Sequence, residues 1–221
     1  MSLILEAAHI WKRYNGNSIL RDCSFSFDTP GTYVLTGPNG CGKSTFLRIC
    51  ALLEPPDRGE ISFSSEGRPL KKDLALRRRI TLVLPKVGVF NTTVFKNVAY
   101  GLKIRETEGS ILREKVSSAL EFVGLLHKEH QNALTLSSGE TQRLGIARAM
   151  VIEPEILFLD EPTASVDQQN TEIVEEIVLT MRRRRSTIVV MTTHDREQAE
   201  RLADHLVVMS EGTISTGSSI A

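Results

Sequence analysis

Residues 37–45 read GPNGCGKST, and that order of glycines, lysine and hydroxyls is the chemistry of a phosphate cradle. It fits G-x-x-x-x-G-K-[ST], with an apolar run, TYVL, before it and the start of a helix, FLRICALL, after it. In that setting Gly37, Pro38, Gly40 and Gly42 turn the chain around an anion. The backbone N–H groups of Asn39, Gly40, Cys41, Gly42 and Lys43 can then point inward at it, aided by the positive end of the helix. Lys43 is expected to reach the terminal phosphates and the Ser44 hydroxyl to take Mg2+, with Thr45 closing the segment. A second stretch, EILFLDEPTASVD, ends an apolar strand in Asp160 and so delivers a carboxylate to the edge of a sheet where ligands of open α/β folds lie. Asp160 suits holding Mg2+ through water. Glu161 beside it is placed to orient an attacking water or take its proton. In a third stretch, LTLSSGETQRLGIARAM, Ser137, Ser138 and Gly139 precede a helix with Glu140 close behind, the pattern of an N-cap.

These groups need a scaffold. The opening alternates as strands do, AAHIWKRY and then CSFSF, whose Cys23, Phe25 and Phe27 share one face. GTYVLTG predicts a buried strand running into the glycine-rich loop, and GEISFS and ITLVLP predict two more strands. From Val94 to Met150 the pattern turns helical. In SILREKVSSALEFVG the residues Ile111, Leu112, Val116, Ala119, Leu120 and Val123 are expected on one apolar face, with Gly124 as the stop. Alternation returns with EILFLDEP, NTEIVEEIVLTM, STIVVMTTH and DREQAERLAD, and HLVVMSEGTIS predicts a closing hairpin. Strands and helices in this order imply an α/β fold with a mainly parallel sheet covered on both faces and a helical block inserted into it. The chain is expected to form one domain over 1–221, with a nucleotide-binding core at 1–86 and 151–221 and a helical subdomain at 87–150.

Composition sets further limits. The 221 residues are 41% hydrophobic and 24% charged, and 27 Lys+Arg balance 27 Asp+Glu. Zero net charge argues against a general polyanion binder, so nucleic acid is not an expected partner. Cys23, Cys41 and Cys50 form no C-x-x-C pair, which fits a reducing compartment. Cys41, at a helix N-terminus beside Lys43, is expected to be a reactive thiol, with Cys23 and Cys50 packed away. No stretch reaches the roughly 18–20 apolar residues of a spanning helix. The opening MSLILEAAHIWKRY lacks a basic leader. A cytosolic chain is expected, with any membrane part supplied by a partner. The run Arg182–Arg185 ends a helix, where cations suit the dipole, and is expected to be solvated.

Four segments in this order, GPNGCGKST, LSSGETQR, LFLDEPTASVD and TTHD, resemble those of the ATP-binding cassette (ABC) family over nearly the whole chain. The resemblance implies a P-loop NTPase core with an N-terminal antiparallel β subdomain and the helical insertion. It also implies Mg2+-dependent ATP hydrolysis between two cassettes packed head to tail, with ATP between the loop of one and the LSSGE segment of the other. Ser137 and the Gly139 N–H would then touch the partner's γ-phosphate, Asp167 would help align the facing subunit, and His194 would meet the γ-phosphate from its own side. Tyr14 matches the aromatic residue that stacks on adenine, with Trp11 as the neighbouring alternative. The implied partners are separate membrane permease subunits and a substrate-binding protein, with the chain peripheral on the inner face of the membrane. A single cassette resembles an importer subunit, and FNTTVFKNVAYGLKIR is similar to cassettes serving tungstate or molybdate uptake. The competing reading is an ABC ATPase acting on DNA or ribosomes. It would call for a long coiled coil, or for two cassettes and a charged linker.

Three positions depart from the family pattern. Cys41 stands where a small residue is usual, and Ser138 replaces the first glycine of SGG. Pro85 occupies the position of the lid glutamine, and no Gln lies between Phe46 and Glu121 to replace it. Proline offers neither a side-chain oxygen nor a backbone N–H.

Overall fold

A computed structural model describes residues 3–164, 166–184 and 187–216. Ser165 of the ASVD segment and Arg185 of the arginine run lie outside the described residues. The chain opens with β1 (Leu3–Tyr14) and β2 (Asn17–Phe27), joined through Asn15 and Gly16. Both of these have positive φ, the condition of a two-residue hairpin turn whose twist matches its strands. Next come β3 (Thr32–Thr36), the loop 37–42 and α1 (Lys43–Cys50). They are followed by β4 (Arg58–Ser65), β5 (Arg68–Pro69), α2 (Leu74–Arg77) and β6 (Ile80–Val83). The helices α3 (Val94–Ile104), α4 (Gly109–Phe122) and α5 (Ser138–Met150) then interrupt the strands. The chain closes with β7 (Ile156–Leu159), α6 (Gln168–Arg184), β8 (Ile188–Thr193), α7 (Arg196–Leu202), β9 (His205–Ser210) and β10 (Thr213–Thr216).

Two sheets result. One is antiparallel in the order β2-β1-β4-β5. The other runs β10-β9-β3-β8-β7-β6, with every pairing parallel except the closing β9–β10 hairpin. The central strands of the second sheet are apolar at consecutive positions because both its faces are covered. Val34, Leu157, Leu159, Val189 and Met191 pack with α3, α4, α5, α6 and α7. Their alternates Leu35, Ile156, Phe158, Ile188 and Val190 pack with α1 and the antiparallel sheet.

Helical periodicity describes α4 with one correction. Leu112, Val116, Ala119 and Leu120 are buried, but Ile111 is 59% exposed, because it stands one position off the buried row. The arginine run is less solvated than expected at its start, where Arg182 Nε binds Asp204 at 2.7 Å.

Candidate functional site

Register decides what meets at the edge of the parallel sheet. Thr36 of β3 lies opposite Thr193 of β8, and Leu159 of β7 lies opposite Met191 of β8. The loop 37–42, the Asp160–Glu161 pair and His194 therefore leave the sheet side by side, although the chain separates the first from the others by more than half its length.

Gly42 caps α1 at φ 111, and a Cβ there would come within 2.8 Å of Leu20 Cδ2 and 3.0 Å of the Ile19 carbonyl oxygen. The loop is thus pressed against β2. Cys41 lies under the same cover, only 7% exposed, within the apolar cluster of α1 and the antiparallel sheet. The expected reactive thiol is corrected on this point. Helix dipole and lysine are local features, whereas access is set by strands that pack over the loop from elsewhere in the chain. Cys23 and Cys50 are buried as expected, and burial pushes the Cys23 thiol up to about 11 and the Cys50 thiol higher still.

Lys43 is almost fully buried. Its Nζ donates to the carbonyl oxygens of Gly37 at 2.8 Å and Pro38 at 3.2 Å, and lies 3.7 Å from Glu161 Oε1. On the other Glu161 oxygen, His194 Nδ1 stands at 3.6 Å from Oε2, with half the histidine side chain open to solvent. Ser44 Oγ donates to Asp160 Oδ1 at 2.8 Å. Asp160 is fully buried, and its Oδ2 has no hydrogen-bond partner among the described residues. A bare buried carboxylate oxygen beside a serine hydroxyl is costly by itself and is an oxygen pair of the kind Mg2+ prefers. The residues fit the metal.

Tyr14 ends β1 beside the loop. Its hydroxyl donates to Glu54 Oε1 at 2.5 Å, and Lys12 Nζ lies 5.7 Å from the ring centroid. Burial and the Glu54 bond raise the phenol above its ordinary value, against an opposing hydrogen bond with Thr45 of α1. Burial would also raise Glu54, but the bonds from Tyr14 and Lys12 outweigh it and hold the carboxyl below its usual range. Trp11 is half-buried in the β1–β4 pairing.

Ser137 caps α5 with a complete capping box: its Oγ accepts from Glu140 N at 3.3 Å, while Ser137 N donates to Glu140 Oε2 at 3.0 Å. Ser138 is exposed in the first turn. Gly139 is buried against the Asn170 side chain, which a Cβ there would overlap. Asp167 in turn accepts from the backbone and side chain of Asn170, and these bonds hold its carboxyl below its ordinary value. Pro85 sits two residues beyond Val83, whose carbonyl accepts the Asp160 N–H at 2.9 Å.

Two partners escape a reading of the sequence. Glu54, which anchors Tyr14, carries no local signal. Thr192 does: it places a hydroxyl at a fully buried position of β8, where the covered sheet calls for an apolar side chain. It donates to Asp160 Oδ1 at 2.9 Å and accepts from Glu161 N at 2.8 Å.

A strand–loop–helix cradle with a buried acid on the neighbouring strand defines a nucleotide-binding α/β protein of the P-loop class. A family model described as ABC transporter matches residues 20–164, and the chain belongs to that family, as one of its ATPase domains. It is 38% identical to the phosphate import ATP-binding protein PstB 2 of Natronomonas pharaonis, over 95% of this chain and 78% of that one. It is 33% identical to the tungstate uptake system ATP-binding protein TupC of Peptoclostridium acidaminophilum, over 95% and 96%. Its identity to the spermidine/putrescine import ATP-binding protein PotA of Mesoplasma florum is 36%, over 96% of this chain and 60% of that one. The fold matches CbiO1 of Clostridium perfringens, part of the ABC transporter complex CbiONQ, with a TM-score of 0.85 at 25% identity, covering 97% and 88% of the two chains. No helix among the described residues is long and apolar enough to cross a membrane.

Proposed function

We propose that this chain is the ATP-hydrolysing subunit of an importer, working as a head-to-tail homodimer beneath separate permease subunits that receive cargo from a substrate-binding protein. The observation that carries the chemistry is the convergence of Lys43 and His194 on the two oxygens of Glu161, next to the Ser44–Asp160 pair. ATP would lie with its phosphates against the loop N–H groups and its base on Tyr14. Ser44 and Asp160 would hold Mg2+, whose charge would offset that of the phosphates. Glu161 orients a water and takes its proton as the water oxygen bonds the γ-phosphorus. The bond to the ADP oxygen breaks, and Lys43 and His194 hold the charge that develops. Ser137, Ser138, Gly139 and Glu140 of the facing copy would close the site, with Asp167 aligning the two.

The names of the relatives support import. Phosphate and tungstate among them support an oxyanion as cargo, while the spermidine/putrescine relatives mark the competing cargo class. A cleft of about 260 Å3 lined by Leu84, Val87, Tyr100 and Arg148 is proposed to seat the permease, with the exposed Phe90 ring packed on Tyr100.

The test is Glu161→Gln. It should bind ATP, hydrolyse it on the order of 10²–10⁴ more slowly, and accumulate as an ATP-bound dimer on sizing chromatography. A variant that turns over normally and stays monomeric would remove Glu161 from the site. Co-purification with a polytopic membrane protein, and the cargo that its complex takes up into vesicles, decides the transport half of the proposal.

A further inference from the structure

Glu161 has φ 43, in the left-handed region that non-glycine residues seldom occupy, and its carboxylate has to face the nucleotide from there. Something must hold that peptide. Its N–H is bonded to the hydroxyl of Thr192, a residue that is fully buried. A hydroxyl has one proton to give and lone pairs to receive with. Here the proton goes to Asp160 Oδ1 at 2.9 Å, and a lone pair takes the Glu161 N–H at 2.8 Å. One side chain thus spans the metal-side carboxylate and the backbone of the residue that works on water. Ser44 also donates to Asp160 Oδ1, but in the proposed reading its hydroxyl belongs to the metal. Thr192 has no such second duty.

We infer that Thr192 is the positioning residue of this site, fixing the Asp160–Glu161 peptide so that metal and water are held in register. This rests on the functional reading above, in which Asp160 serves the metal and Glu161 the water. The hydrogen bonds of Thr192 go to Asp160 and Glu161 and not to Lys43 or the loop, so metal-free nucleotide affinity should not depend on it. The rate should, because a small misplacement of the group that orients the water falls on the chemical step.

Thr192→Val keeps the shape and removes the hydroxyl, while Thr192→Ser keeps the hydroxyl and removes a methyl group. Hydrogen exchange on the nucleotide-free protein reads the geometry at the Glu161 amide, and ATP titration with steady-state kinetics reads the consequence. Thermal unfolding shows that both variants are folded. In Thr192→Val the Glu161 amide should exchange faster, and kcat should fall roughly 10- to 100-fold with metal-free ATP affinity within about twofold of wild type. Thr192→Ser should restore both amide protection and most of the rate. Unchanged exchange at Glu161 in the valine variant overturns the inference. So does a valine variant with kcat within about twofold of wild type, or a serine variant as slow as the valine one. A wild-type chain that hydrolyses no ATP overturns the functional reading instead, and is recognised because the unmodified protein is inert.

Discussion

Ser44 and Asp160 stand 116 positions apart in the chain and share a 2.8 Å hydrogen bond, which leaves the second Asp160 oxygen buried and without a partner among the described residues. Asp160→Asn keeps an oxygen for the Ser44 and Thr192 hydroxyls, so the fold should survive, but it removes the charge a divalent ion requires. ATP titrations with and without Mg2+ should show the same metal-free affinity as wild type and little gain on adding metal. Hydrolysis should fall on the order of 10²-fold or more. A full Mg2+-dependent gain in the variant would place the metal elsewhere.

The capping box gives a pH-dependent expectation. Lys128 Nζ lies 2.6 Å from Glu140 Oε1, and that bond, followed by those from Ser137, holds the Glu140 carboxyl below its usual range despite a partial burial that works the other way. With the folded pKa below the unfolded one, the unfolded chain takes up a proton first as acid is added. The stabilisation is complete above the ordinary Glu value of about 4.3 and is lost as pH falls through the depressed folded value. Glu140→Gln, which can keep the capping box but loses the charge paired with Lys128, should cost up to about 1 kcal/mol at neutral pH. The difference in Tm between variant and wild type should narrow as pH drops below about 4. A difference that stays constant across that range would detach the effect from the Glu140 charge.

Gly139 has a packing role as well as a proposed phosphate contact. A methyl group there would collide with Asn170 at the start of α6. Gly139→Ala alone should destabilise by about 1–3 kcal/mol. Adding Asn170→Gly should recover much of that loss in chemical denaturation, since it removes the Asn170 side chain including the Cβ that would lie 2.6 Å from the new methyl. If the recovered double variant still fails to dimerise with ATP, Gly139 acts on the nucleotide as well. If stability does not recover, the collision is not the cause.

What is legible in the sequence follows from locality. GPNGCGKS and LFLDE carry strand, turn and functional groups within one short stretch, so their elements and their edge of the sheet follow from residue order alone. The Ser137–Glu140 capping box is legible for the same reason. Contacts between distant segments are not. The residues beside Cys41 lead one to expect an accessible thiol, yet β2 and β9 close over the loop from opposite ends of the chain. Gly139 meets Asn170 only after α5 and α6 pack, and Tyr14 meets Glu54 only after β1 passes the end of α1. Thr192 offers one clue, a hydroxyl in a strand buried on both faces, but its partners lie at the end of β7, 32 and 31 residues earlier.

Pro85 remains the departure with the sharpest consequence. It leaves β6 two residues past Val83, whose carbonyl is bonded to the Asp160 N–H, so the position lies next to the site. A proline there offers no amide to the metal or the water. The rest of the loop is held by contacts that do not involve Pro85: Val87 packs over Gly145, Arg148 donates to the Gly88 carbonyl, and Asn97 exchanges hydrogen bonds with the Phe90 backbone. These contacts are expected to hold the loop's course without a fixed φ at position 85, so that glutamine should replace proline without unseating it. Pro85→Gln should raise kcat several-fold, roughly 1 kcal/mol of barrier, with KM nearly unchanged. Pro85→Ala, which removes the ring without supplying an amide, should leave kcat near wild type. If alanine raises the rate as much as glutamine, relief of the proline and not the amide is responsible. If glutamine leaves kcat flat or lowers it, the site has been rebuilt to work without a lid side chain, and position 85 has no part in holding metal or water.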